Sequence, residues 1–389
     1  MRGTSSLLAD LPLSAVSQIL TRAAAHGWSD VLPLAGGEPR FASPEGALQR
    51  LRTDDSDQIT KYSPFAGQKD LLSAIREKLQ KINGMDVHED NILCVPGGSA
   101  AILGALMAVV DSGSEVVISD PCWEHYLSMV RLAGAVPRRF RMTFDGTRYT
   151  PDLDSLAAAI GGRTRAILLN TPLNPCGAVL RREEAVAIAE LAASKNVWLI
   201  VDEEYETFVH GENVHFSAGS LDNNVISLYS FSKSFALTGV RLGYIVAPAR
   251  IIDLTRRYAL YSHMYPPSPS QRIAYGALSG DYVGYLRGVR AEYERLMQRL
   301  YDGIAPINGI SCWKPEGGVY LFPRIDLPIN RTPADVLIDD FHLLCVPGEV
   351  AGEMGRGHVR FFYGVTEGQI DQAVSRIRAM SETAFSYAA

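Results

Sequence analysis

The chain has 389 residues, 47% of them hydrophobic and 21% charged, with a formal net charge of −6. That length exceeds what one hydrophobic core usually serves, so two or three domains are expected. The mixed, mildly acidic charge argues against a nucleic-acid surface, and no apolar stretch approaches the ~20 residues needed to cross a bilayer.

Five cysteines, Cys94, Cys122, Cys176, Cys312 and Cys345, are scattered without CxxC spacing. Such a set fits neither a disulfide framework nor a zinc site and reads as free thiols in a reducing compartment. Met1 to Leu20 shows no basic start followed by a long apolar core, so no signal peptide is expected. The expectation is a soluble, cytoplasmic protein with neither a nucleic-acid nor a membrane partner.

Short apolar runs rich in β-branched residues recur at Ile92–Val95, Val116–Ser119, Ala166–Asn170, Trp198–Asp202, Val225–Ser230 and Leu242–Val246. Helical patterns lie between most of them, among them Ser99–Val110 and Arg182–Lys195. This alternation predicts an α/β fold with an open, mostly parallel sheet covered on both faces. Near-continuous apolarity suits strands buried on both sides. Further on, Tyr282–Asp302 has a long, charged helical pattern, Val319–Phe322 and Val359–Tyr363 read as strands, and Glu367–Ala384 closes as a helix. This last third predicts a smaller α+β domain, with a ligand pocket between the two.

Ligands of such sheets bind beyond the carboxyl ends of the strands. Those ends carry Pro96-Gly97-Gly98-Ser99, Asp120-Pro121-Cys122-Trp123, Thr171-Pro172-Leu173-Asn174-Pro175, Asp202-Glu203-Glu204-Tyr205 and Ser230-Phe231-Ser232-Lys233. Polar and aromatic residues thus gather at one edge of the predicted sheet. A lysine just past a buried strand has its stem enclosed, and burial favours the neutral, nucleophilic amine that a Schiff base needs. Arg241, eight residues on, can fork onto a phosphate, and Gly239 and Gly243 allow close backbone approach. A Gly-Gly-Ser turn opening a helix offers unpaired N–H groups to the same anion. Asp202 ends a very apolar strand, where a carboxylate calls for a cationic partner.

The run Ser230 to Gly243 resembles the lysine signature of the class I/II pyridoxal 5′-phosphate (PLP) aminotransferases, Ser-x-x-Lys-x-x-x-x-x-Gly-x-Arg-x-Gly. The resemblance continues in order from Leu34 to Gly364. It implies the aspartate-aminotransferase-like fold type I, with a mostly parallel seven-stranded sheet. Residues 45–280 would form the large cofactor domain, and 1–44 with 281–389 the small one. It also implies PLP as cofactor and Lys233 as the residue bonded to it. Gly98, Ser99, Ala100 and Arg241 would serve the phosphate, Trp123 the ring face, Asp202 the ring nitrogen, and Asn174 and Tyr205 the ring oxygen, with Ser230 a further cofactor-binding residue. Gly37, Asn174 and Arg360 would meet the substrate carboxylate. Tyr62 would reach the phosphate of a neighbouring subunit, which implies a homodimer with shared sites. Cys176 stands where threonine is usual. Glu203 and Glu204 are expected in solvent or in a supporting role, Tyr320 in a structural role, and all eight histidines outside the site.

The implied activity is transfer of an amino group from an L-amino acid to a 2-oxo acid by ping-pong kinetics. Departures at Ser99, Gly317-Gly318-Val319 and Phe361-Phe362-Tyr363 argue against a dicarboxylate specialist. They keep open an alternative on the same scaffold: β- or γ-elimination, replacement or cyclisation. A PLP-fold transcriptional regulator is not expected, because the resemblance begins by Leu34 and leaves no room for an N-terminal DNA-binding domain.

Overall fold

The computed structural model of the protein describes residues 3–221, 224–328 and 330–388. Its centre is a sheet of eight strands: β1 (Ile92–Val95), β2 (Glu115–Asp120), β3 (Val136–Phe144), β4 (Tyr149–Pro151), β5 (Thr164–Asn170), β6 (Trp198–Asp202), β7 (Val225–Ser230) and β8 (Gly243–Val246). The spatial order is β1-β8-β7-β6-β5-β2-β3-β4. Strands β3, β2, β5, β6 and β7 run parallel. Strand β8 is antiparallel to both β7 and β1, so β1 again points with the majority.

The count corrects the seven strands expected. The additional strand is β4, three residues long, folded back antiparallel on β3. No apolar run marked β3 either. Its exposure alternates and it carries Arg138, Arg139 and Arg141, which suits a strand near the sheet edge with one face in water.

The inner strands are buried along almost their whole length because both faces are covered, Arg165 near the start of β5 being the exposed exception. Val116, Ile118, Leu168, Ile200 and Ile226 pack against Ala101, Ile102, Ala105 and Leu106 of helix α1 (Gly98–Val109). The alternate residues Val117, Ile167, Leu199 and Val201 face Ala185, Ile188 and Ala192 of helix α2 (Arg182–Ser194). This period-two division is what the pleat of a strand imposes.

A second hydrophobic cluster unites distant segments. Ile19, Leu32 and Leu34 pack with helix α3 (Tyr282–Ile304), Leu337, Phe361 and residues of helix α4 (Glu367–Ala388). Helix α3 is capped by Asp281, whose Oδ1 accepts from the Gly284 N–H at 2.8 Å. Its residues Leu286, Val289, Tyr293, Leu296, Leu300 and Ile304 form one buried stripe, as an amphipathic helix requires. Here β9 (Tyr320–Leu321), β10 (Val346–Pro347) and β11 (Val359–Phe362) form an antiparallel sheet ordered β9-β11-β10. The chain start is tied in by parallel pairing of Leu32 with Leu343 and by the Phe362 N–H bonding to the Leu34 carbonyl at 2.8 Å.

Candidate active site

Strand direction decides what meets at the sheet edge. Strands β1, β2, β5, β6 and β7 end there, and antiparallel β8 begins there. The segments before Gly98, Trp123, Asn174, Tyr205 and Lys233, and the one reaching Arg241, are therefore delivered to one place. They line a cavity of about 270 Å³. Of the residues singled out from sequence, Gly37, Gly98, Ser99, Trp123, Asn174, Asp202, Tyr205, Lys233, Arg241 and Arg360 line it.

Three do not. Ala100 lies in the first turn of α1. Ser230 sits behind the wall, its Cβ 3.6 Å from where a Cβ on Gly98 would stand. Tyr62 is 79% exposed, its ring 4.9 Å from that of Tyr265.

The lysine amine donates to the Gly37 carbonyl at 2.8 Å. A side chain on Gly37 would strike the Tyr320 hydroxyl, so glycine is what lets the backbone reach the lysine. The turn into α1 has the same logic. Gly97 has φ of +89°, and a Cβ there would fall 2.7 Å from Arg241 Nη2. No side chain caps this helix, which leaves its first N–H groups directed at the cavity with the helix dipole behind them.

Two buried ionisable groups, without a protein counter-ion among the described residues, face this cavity. Asp202 is 5% exposed. Its Oδ2 accepts from Tyr126 Oη at 2.6 Å and its Oδ1 from the Glu204 N–H at 3.1 Å. Burial, and then the negative charge of Glu204, push its carboxyl up to about 7. Arg360 is also 5% exposed. Its guanidinium bonds neutral oxygens, Asn174 Oδ1 at 3.0 Å and the Ala35 carbonyl at 3.2 Å. It lies 4.2 Å above the Tyr320 ring, and among the described residues its Nε has no partner. A buried ion so placed calls for an opposite charge from a ligand.

The structure revises several sequence expectations. Tyr320 is a pocket wall under Arg360. Glu203 is fully buried, bonded to His215 Nε2 at 2.7 Å, while Glu204 lines the cavity. His125 also lines it, its ring 4.4 Å from Trp123, which corrects the view that every histidine lies elsewhere. Tyr126, unmarked in the sequence reading, lies in the first turn of the helix His125–Leu132 that follows Trp123. Asn170 was likewise missed. Its Nδ2 donates to the Asp202 carbonyl at 2.9 Å and its Oδ1 accepts from the Asn174 N–H at 2.8 Å. It therefore couples the two loops.

A lysine-centred pocket at the carboxyl edge of an open α/β sheet, with an unpaired acid and an unpaired base in its walls, has the features of an enzyme site. The family profile of aminotransferase class I and II matches residues 29–377. An aspartate aminotransferase of Pyrococcus abyssi is 31% identical over 360 residues, 91% of this chain and 92% of that protein. An aromatic-amino-acid aminotransferase of Thermococcus litoralis is also 31% identical over 360 residues, covering 91% and 92%. The crystal structure of the aspartate aminotransferase from Rhizobium meliloti superposes with a TM-score of 0.92 at 29% identity, covering 98% of this chain and 99% of that one. The chain belongs to the class I and II aminotransferases, with fold type I. It transfers amino groups, and nothing in these comparisons favours elimination, replacement or cyclisation.

Proposed function

We propose that this aminotransferase holds PLP on Lys233 and passes an amino group from an L-amino acid to a 2-oxo acid in two half-reactions. The observation that carries the reading is the pair of buried, unpaired charges, Asp202 and Arg360. They suit a ligand that brings a ring cation and a carboxylate into the cavity that Lys233 also lines. The remaining walls fit the cofactor: the Trp123 face for the ring, and Arg241 with the open N-terminus of α1 for the phosphate.

When bound, the cofactor supplies an electron sink for the substrate's α-carbon. Asp202 would keep the ring nitrogen protonated, and Tyr126 holds Asp202 in place. Asn174 and Tyr205 would donate to the ring oxygen. Arg360 would clamp the substrate α-carboxylate in a forked pair that fixes orientation as well as charge, with Asn174 and the Gly37 backbone beside it. The Lys233 amine would take the α-proton and return it at cofactor C4′.

The wider reading is a cytoplasmic homodimer. Support for shared sites is the exposed Tyr62 beside Tyr265, which in turn meets Phe65. Support for a reducing compartment is five free thiols, four of them buried. Residues 45–280 would carry the cofactor, with 1–44 and 281–389 as the second unit.

The test is a spectral screen of the purified holoenzyme against single amino acids. Conversion to pyridoxamine phosphate with release of a 2-oxo acid is expected. Release of a β- or γ-leaving group with PLP retained would overturn the reaction assigned.

A further inference from the structure

The anion end of the pocket contains an acid. Glu204 lines the cavity and is half-buried. Its Oε1 lies 3.6 Å, and its Cδ 3.8 Å, from the point a Cβ on Gly98 would occupy, and Ser230 Cβ is 3.6 Å from that same point. The carboxylate therefore stands between the first turn of α1 and the end of β7, where the helix N-terminus and Arg241 make the region attractive to anions. The backbone there is fixed, because the Glu204 N–H bonds Asp202 Oδ1. Among the described residues the Glu204 carboxylate has no hydrogen bond or ion pair, and the Arg241 Nη1 instead donates to the Thr238 carbonyl at 2.7 Å. The negative charge of Glu204 is felt by its neighbours: it raises Asp202, after burial, and Tyr205, after burial and Tyr320.

We propose that the Glu204 carboxylate opposes the cofactor's phosphate and so weakens the pocket's hold on PLP. The inference rests on the PLP reading above. Its reasoning is electrostatic. A carboxylate and a phosphate in one partly buried cup repel, and like charges brought together reduce affinity steeply. The helix N-terminus and Arg241 offset that repulsion only in part, since their favourable field acts on both anions at once. Removing the Glu204 charge should therefore strengthen binding of a phosphorylated ligand. A ligand without the phosphate should be indifferent.

The experiment measures equilibrium binding of PLP and of pyridoxal to the cofactor-free enzyme, using quenching of protein fluorescence and the absorbance of the bound aldehyde. Wild type is compared with Glu204→Gln, which keeps the shape, and Glu204→Ala, which removes the group. Thermal melting checks that each is folded. The expected result is PLP affinity tighter by about tenfold in both variants, with pyridoxal affinity unchanged within about twofold. Unchanged or weaker PLP binding in the variants, with wild type binding PLP normally, overturns the inference and leaves the cofactor assignment standing. Equal tightening of PLP and pyridoxal overturns it as well, since relief of crowding would explain that. Wild-type enzyme that binds neither compound overturns the cofactor reading and this inference together.

Discussion

Arg360 reaches Asn174 across 186 positions of sequence, Nη1 to Oδ1 at 3.0 Å. One residue comes from the central strand of a small antiparallel sheet and the other from a loop after β5. The bond ties the second hydrophobic cluster to the main sheet at the point where substrate is expected. Asn174 is 5% exposed, so the bond is shielded from water and correspondingly directional.

Arg360→Lys should keep the charge and lose the fork. We expect kcat/KM to fall by about a hundredfold, which is about 3 kcal/mol in transition-state binding, mainly through KM. Steady-state kinetics with a saturable amino donor checks this. An unchanged KM would remove Arg360 from the carboxylate site.

Asp202 gives a signed pH dependence. Its carboxyl is pushed up to about 7 from 3.8, by burial first and then by Glu204. The folded chain therefore holds a proton that the unfolded chain releases between about pH 4 and pH 7. Stability of the cofactor-free protein should fall as pH rises through that window. Asp202→Asn should flatten this slope. Bound cofactor should flatten it too, by giving the carboxylate its cation. Urea unfolding at pH 5 and pH 8 measures both; a cofactor-free protein more stable at pH 8 through this group would contradict the assignment.

Tyr126→Phe deletes the hydroxyl that donates to Asp202 Oδ2 at 2.6 Å. A hydrogen bond to a charged acceptor is worth about 1.5–3 kcal/mol. The Asp202 carboxyl should move further up, and kcat should drop by roughly tenfold or more. The acidic limb of the rate profile should shift to higher pH. A loss of rate with that limb unmoved would indicate packing damage.

Tyr62 lies on the surface of a single chain, 79% exposed, and its proposed partner is a second copy. Equilibrium sedimentation should give a dimer. Tyr62→Phe should leave the dimer intact and weaken PLP binding several-fold. A monomer with full activity would refute the shared site.

How far the sequence revealed this depended on the kind of signal. Strands β5, β6 and β7 were plain because double-sided burial makes them continuously apolar. Strand β3 hid behind its arginines, and β4 is too short to carry a pattern. Residues marked by a local motif, such as Lys233 and Arg241, do line the cavity the motif pointed to. Tyr126, Asn170 and the pocket position of Tyr320 were not legible, since each acts through a partner far along the chain. Glu203 and Glu204 illustrate the limit: adjacent, identical in type, they differ by which side of one backbone turn they leave. One is fully buried against His215 and the other faces the cavity.

Strand β8 has one more consequence. Because it runs against β7, with Ser230 paired to Gly243 and Tyr229 to Tyr244, the segment bearing Lys233 and Arg241 leaves the sheet and re-enters it at one rung. Both of its ends are pinned to the same ladder. The separation between the backbone positions of Lys233 and Arg241 is thus a gauge length set within a single closed loop. A one-residue insertion between Lys233 and Arg241 would have nowhere to dissipate and would misgauge the site, whereas the same insertion in the exposed turn at Gly146 would leave the site's dimensions intact.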